Sequence, residues 1–204
     1  MPQQLVPFVL SCVLFFQLAV AQSKLRFTND KQQAKISFEW RMNQIIIPVM
    51  INGVSMNFLV DTGVGHMLIF DSHKAKQLSF STDHPFMLRG LGSHPALRAY
   101  RVKLNSVLLE GIEFTALDAL VLPESEFILS RRLGTQIDGI LGYDLFADYP
   151  VLIDYQPKFV LVNAPRDDKR WKRKKAIHFP LSIYARKPHI SLEITTNNQL
   201  LQRV

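Results

Sequence analysis

An all-β fold is the class this sequence predicts, and three observations predict it. Short apolar runs recur with turn residues between them, several of those runs alternate apolar and polar residues, and helical periodicity is scarce. With 204 residues, 48% of them hydrophobic and 10% aromatic, the chain can bury a core and is not a disordered polymer. Short strands at this spacing favour a closed or sandwiched β architecture over a parallel α/β sheet.

In chain order, the first element is an address. No charged residue falls between Leu5 and Val20, and Ala19-Val20-Ala21 puts small residues where a signal peptidase reads, so residues 1–21 are expected to be a signal peptide cleaved before Gln22. A spanning helix needs about 20 apolar residues; this run is shorter and is interrupted by Pro7 and Gln17. An uncleaved membrane anchor and, on Cys12, a lipoprotein are the other two readings. Export to the periplasm or the extracellular space is the expected localisation. Cys12 is the only cysteine, so no disulfide framework or cysteine metal site is available.

A polar segment, residues 22–33, precedes the β-rich part. Ile36, Phe38 and Trp40 alternate with polar neighbours as a strand does. Ile45–Ile51 runs into Asn52-Gly53, the tight-hairpin dipeptide, and Met56–Val60 returns. Further strands are expected at Leu97–Leu104, Ile112–Leu122, Val151–Tyr155 and Phe159–Val162, the last two turning at Gln156-Pro157. Ser72–Leu78, Phe127–Leu133 and Tyr143–Tyr149 each have room for one or two helical turns.

The formal charge of +7 is unevenly spread. Arg166–Lys175 holds seven basic and two acidic residues, net +5, leaving about +2 for everything else. A like-charged block of this kind repels itself and reads as a solvated linker, residues 166–176. Trp171 is its only aromatic, too little for a base-stacking platform, so no nucleic-acid partner is expected. Beyond it, Ile177–Ala185 and Pro188–Thr196 read as two more strands, too few to bury a face alone.

Chemistry concentrates in Phe58-Leu59-Val60-Asp61-Thr62-Gly63-Val64-Gly65-His66. An Asp closing an apolar strand and followed by Thr-Gly puts a carboxylate in a turn against low-dielectric surroundings, where burial and a second carboxylate would raise its pKa. Two carboxylates sharing one proton are the working group of acid proteolysis. Gly63 allows close approach and unrestricted φ.

In these residues the sequence resembles the retropepsin-like aspartic proteases, in particular exported bacterial members. Asp61-Thr62-Gly63 is preceded by Ile47–Gly53, similar to the family's entry hairpin; Arg89-Gly90-Leu91-Gly92-Ser93 is similar to its flap; and Ile137-Asp138-Gly139-Ile140-Leu141-Gly142-Tyr143-Asp144-Leu145-Phe146 is similar to the apolar-apolar-Gly segment and short helix bracing the catalytic loop. Ile153–Tyr155 and Phe159–Val162 match the closing strands, so the resemblance spans roughly Ala34 to Asn163. It implies a closed acid-protease β-barrel over residues 34–165 with one or two short helices. It further implies an aspartic endopeptidase acting on peptide or protein substrate, with Asp61 as dyad acid/base, Thr62 and Gly63 shaping its loop, and Gly90, Leu91 and Gly92 in a substrate-covering flap. No metal or organic cofactor is implied.

Two departures stand out. There is no second Asp-Thr/Ser-Gly, so the partner carboxylate would come from a second copy of the chain or a second lobe, and residues 177–204 read as the first strands of such a lobe because Lys187–Ile194 repeats an apolar strand with Pro near its start. Asp138 would belong to the bracing segment and Asp154 to a closing strand. In addition, the family usually places Ala and then Ser or Thr after Asp-Thr-Gly, whereas Val64 and Gly65 stand here. These departures keep a second function open, a non-catalytic β-barrel interaction module. His66, Asp71 and His73 read as strand-edge and turn positions, His84 and His94 as loop residues, and Asp118 as outward-facing.

Overall fold

A computed structural model of the chain describes residues 24–70, 73–78, 85–88, 96–122, 128–164, 176–196 and 199–203. The signal segment, the Gly90–Gly92 flap, the basic run, and Asp71, His84 and His94 lie outside the described residues. Among the described residues the architecture is all-β, with one short α-helix.

The Asn52-Gly53 signal forms as expected. Strands β4 (Gln44–Ile51) and β5 (Val54–Val60) pair antiparallel around it, and both turn residues have positive φ, 47° and 84°. That pair of left-handed residues matches the right-handed twist of the flanking strands. A second two-residue connection, Glu110-Gly111, joins the longest strands, β8 (Leu97–Leu109) and β9 (Ile112–Leu122). Ahead of β4, the short strand β3 (Glu39–Arg41) reaches it through Met42 and Asn43, again both left-handed.

These strands belong to a nine-stranded sheet that also contains β1 (Lys24–Phe27), β6 (Met67–Phe70), β7 (Pro85–Leu88) and β10 (Gly139–Leu141). Its hydrogen-bonded path runs β9-β6-β10-β5-β4-β8, and β8 pairs back with β9, so the circuit of pairings returns to its start. β1 lies in the polar stretch before Ala34 and pairs along β9. A smaller sheet, β2 (Gln33–Ser37), β11 (Val151–Asp154) and β12 (Phe159–Asn163), supplies the closing strands.

Consecutive residues of the central strands go to opposite sides. Ile47, Phe58 and Ile69 enter one buried cluster with Phe114 and Val160, while their neighbours Ile46, Leu59 and Leu68 enter another with Leu120, Leu133 and Ile137. Burial on both faces is why Ile45–Ile47, Phe58-Leu59 and Met67–Phe70 read as unbroken apolar runs instead of alternating ones. The helix α1 (Ile128–Leu133) contributes Leu133 to the second cluster.

Two pairings run against the antiparallel expectation: β10 is parallel to β5, and β6 is parallel to β9. β10 is wedged between β5 and β6, and the wedge depends on Gly139, where a Cβ would lie 2.3 Å from the Leu68 carbonyl oxygen and 2.4 Å from Phe58 Cε1. Asp138, immediately before, is fully buried. Its carboxylate accepts the Asn57 N–H at 2.9 Å and pairs with Lys74 at 3.3 Å, while its backbone bonds Asn57 and Phe70.

After the basic run, β13 (Ser182–Tyr184) and β14 (Lys187–His189) form a tight hairpin, and β15 (Leu192–Thr196) pairs with β16 (Gln199–Arg203). The first strand expected here is shortened to β13, the second is divided at Ile190-Ser191 into β14 and β15, and β16 lies beyond both; Ala185 and Arg186 make the turn between β13 and β14 with φ of 48° and 60°.

Gly139→Ala is expected to destabilise the fold by about 3 kcal/mol or more, since both obstructing groups belong to strands held in register. A urea-unfolding midpoint equal to wild type would show that β10 is not wedged as described.

Candidate active site

Val60 ends β5, and the next three residues, Asp61, Thr62 and Gly63, are all exposed. The loop is nevertheless fixed from behind. The Asp61 N–H donates to the Leu141 carbonyl at 3.0 Å, extending the β5–β10 ladder by one bond. The Val64 N–H donates to the Asp61 carbonyl at 3.3 Å and closes the turn. The Val64 carbonyl then accepts the Tyr143 N–H at 2.8 Å. Gly142 makes that approach possible: a Cβ on it would sit 1.9 Å from the Val64 carbonyl oxygen.

The Asp61 side chain is oriented by its own loop, with Oδ1 accepting the Gly63 N–H at 2.8 Å. A Cβ on Gly63 would lie 3.2 Å from that oxygen, so glycine serves here by leaving space. The expected need for unrestricted φ is not met, because Gly63 is absent from the positive-φ positions. The expected low-dielectric setting is also corrected: Asp61 is exposed, since only the rear of the loop is packed. Beside it opens a pocket of about 340 Å³ whose apolar wall includes Met42, Leu59, Leu129 and Leu133, with Gln44 and Arg132 as polar lining.

The bracing segment keeps Asp138 away from chemistry, because every carboxylate contact described above ties it to β5 and to Lys74. Asp154 caps a turn, accepting the Gln156 N–H at 3.2 Å, and Asp118 is exposed on β9. Among the described residues no group of three or more His, Cys, Asp or Glu is placed to hold a metal ion.

Asp144 and Arg186 are site residues that sequence reasoning did not single out. The Asp144 side chain is 7% exposed; Oδ2 accepts the Met67 N–H at 3.1 Å and Oδ1 accepts from Arg186 Nη2. Burial pushes its carboxyl pKa up, and the Arg186 guanidinium and the Met67 N–H offset only part of that. Arg186 Nε donates to the Gly65 carbonyl, and its guanidinium lies 4.9 Å from the centre of the Tyr143 ring. The available signal was Ala185-Arg186 ahead of Lys187-Pro188, a turn whose residues give no warning of a left-handed pair.

His66, next to Gly65, is half-buried, and burial followed by the Arg186 and Arg101 charges pushes its pKa below the ordinary 6.5, against a smaller upward pull from Asp118. The two titrating neighbours have opposite signs. Asp144, with a raised folded value, contributes stability that is present below the ordinary aspartate range and lost as pH rises through the raised value. His66, with a lowered folded value, contributes stability that is present above 6.5 and lost as pH falls through the lowered value.

Residues 47–145 match the family model described as aspartyl protease. No curated protein matches the chain. Among solved structures, a retropepsin-like aspartic protease from Rickettsia conorii is 21% identical with a TM-score of 0.44, the match covering 70% of this chain and 94% of that one. The retroviral protease-like domain of Ddi1 from Leishmania major is 18% identical with a TM-score of 0.41, covering 61% of this chain and 97% of that domain.

An NMR titration is expected to give His66 a midpoint below 6.5. His66→Asn should flatten the acid-side loss of thermal stability; an unchanged acid limb would mean that His66 is not held neutral by its site.

Proposed function

We propose that this chain, whose residues 47–145 match the aspartyl protease family model, is an aspartic-type endopeptidase in which Asp61 supplies one carboxylate of a catalytic dyad. The observation that carries the proposal is the setting of Asp61: an exposed carboxylate, oriented by the Gly63 N–H, on a loop whose rear is locked to Gly142 and Tyr143. Fixing the loop from behind leaves its open side for substrate, and the adjoining pocket has the mixed apolar and polar lining that receives a peptide side chain.

The second carboxylate is proposed to come from a second lobe or a second subunit, because the sequence contains a single Asp-Thr-Gly. Its arrival would desolvate Asp61 and create the like-charge pair that keeps one proton on two carboxylates. In the proposed reaction the ionised member takes a proton from water, whose oxygen bonds to the scissile carbonyl carbon. The protonated member donates to the carbonyl oxygen. Collapse of the tetrahedral species breaks the C–N bond, and the departing nitrogen receives the proton. Exposed apolar residues at Ile177, Phe179, Leu181 and Ile183 support a further surface packing against this part of the chain.

Substrate is proposed to be peptide or protein, and no cofactor enters the chemistry. The apolar run Leu5–Val20 supports an exported protein, attached to a membrane only if that run is retained. Among the described residues no helix is long and apolar enough to cross a membrane. A second reading, a non-catalytic interaction module, is favoured by one observation, the exposure of Asp61 with no second copy of its motif in the sequence.

The full chain and Asp61→Asn, incubated with a mixed peptide library from acidic to neutral pH, separate the two. Cleavage by wild type that falls about 10³-fold in the variant is the expected result. Equal cleavage by both would remove Asp61 from the mechanism, and cleavage by neither would favour the module.

A further inference from the structure

The hairpin β13–β14 is remote in sequence from the Asp61 loop, yet four features of the loop's far end converge on its turn. Arg186 Nε donates to the Gly65 carbonyl. Arg186 Nη2 donates to Asp144 Oδ1, while Asp144 Oδ2 holds the Met67 N–H, so one guanidinium is linked to both residue 65 and residue 67. The same guanidinium lies over the Tyr143 ring, and the Tyr143 N–H holds the Val64 carbonyl. Finally, Gly65 has no side chain where the turn arrives: a Cβ there would already be 3.4 Å from the Ala185 carbonyl oxygen and from Arg186 Cβ.

The chemistry of these contacts is specific to arginine. A planar fork donates from separate nitrogens in fixed directions, and it stacks on an aromatic face at the same time. A lysine ammonium in that place could neutralise Asp144, but it lacks the second arm that reaches the Gly65 carbonyl. The backbone is committed to the contact as well, since Ala185 and Arg186 both adopt left-handed φ, which residues with a Cβ normally avoid.

We infer that Arg186 is the positioning residue of the Asp61 loop, the hairpin supplying from outside the brace that residue 65, lacking a side chain, cannot supply from within. Two anchors then hold the loop: Gly142 and Tyr143 behind Val64, and Arg186 at Gly65 through to Met67. The consequence for catalysis rests on the endopeptidase reading; the positioning itself does not.

The test is amide hydrogen exchange on the full chain, comparing wild type, Arg186→Met and Arg186→Lys. Arg186→Met is expected to speed exchange at Gly63, Val64 and Met67 about tenfold or more, the scale of losing a charge-assisted hydrogen bond, with core amides such as Phe58 and Leu104 unchanged. Arg186→Lys should restore Met67, which Asp144 holds, and leave Gly63 and Val64 fast. Loop amides at wild-type rates in both variants would overturn the inference and reduce the hairpin to a stabilising contact. If Arg186→Met does not fold, Arg186→Lys decides alone: wild-type rates at Gly63 and Val64 refute it. Peptide cleavage is read in parallel. A wild type that cleaves nothing, with a loosened loop in Arg186→Met, sinks the endopeptidase reading and sustains the positioning role. A cleaving wild type whose Arg186→Met loop is undisturbed does the opposite. Where cleavage occurs, kcat should fall about tenfold with KM within about twofold, since the variant disturbs the acid and not the pocket wall.

Discussion

The approach of Gly142 to the Val64 carbonyl is the contact on which the site depends. A Cβ would sit 1.9 Å from that oxygen, so no other residue fits there without moving backbone. The contact is available because Gly139, three residues earlier, lets β10 slide between β5 and β6. Once β10 is seated, Leu141 accepts the Asp61 N–H and Tyr143 donates to Val64, so the Asp61 turn is tied down at its rear. A segment of a few residues thus converts the register of three strands into the position of one carboxylate. The exposure of Asp61 and the rigidity of its loop are compatible because all the packing is on the far side.

Three aspartates divide the electrostatic work. Asp138 is fully buried and is matched by the Asn57 N–H and by Lys74, whose side chain is 38% exposed and so spans from core to solvent. Asp144 is nearly buried and is matched from the surface by Arg186. A buried carboxylate stripped of its partner costs far more than a surface pair is worth, so both are held where a backbone N–H adds a hydrogen bond. Of the three, Asp61 faces outward, and among the described residues its side chain accepts from the Gly63 N–H. The two buried carboxylates are the ones that receive a counter-charge.

Much of this was legible. Asn52-Gly53 gave its hairpin because both residues readily adopt the left-handed conformation that its two-residue turn uses, and Leu97–Leu104 and Ile112–Leu122 were recognisable strands. The unbroken runs at Ile45–Ile47 and Leu68–Phe70 became strands buried on both faces. Other features were hidden for physical reasons. β10 is three residues long and begins at a glycine, so neither periodicity nor propensity marks it; its β5 partners lie 81 positions away in chain order and its β6 partners 70 and 72. The burial expected for Asp61 does not occur, because the packing is confined to the rear of its loop and leaves that residue open. Met42-Asn43 and Ala185-Arg186 make the same kind of left-handed turn without glycine, so the sequence does not announce their geometry even where, as at Arg186-Lys187-Pro188, a join between strands was expected.

Those two turns bear on how the expected repeat should be understood. Each joins two strands through two left-handed residues, Arg41 opposite Gln44 in one case and Tyr184 opposite Lys187 in the other. The prolines do not keep step with them. Pro48 lies well along β4, opposite Asn57 of β5, whereas Pro188 follows its turn almost at once and sits opposite Ile183 of its own hairpin. The likeness between the segments is therefore one of turn geometry and not of proline register. What the turns share in space is the Asp61 loop: Met42 lines the pocket beside the carboxylate, and Arg186 grips the loop's other end at Gly65. A two-residue left-handed turn projects its side chains sharply off a twisted ribbon, which suits it to reaching across to another element. In the first hairpin that reach shapes the pocket beside Asp61, and in the second it contacts the loop itself.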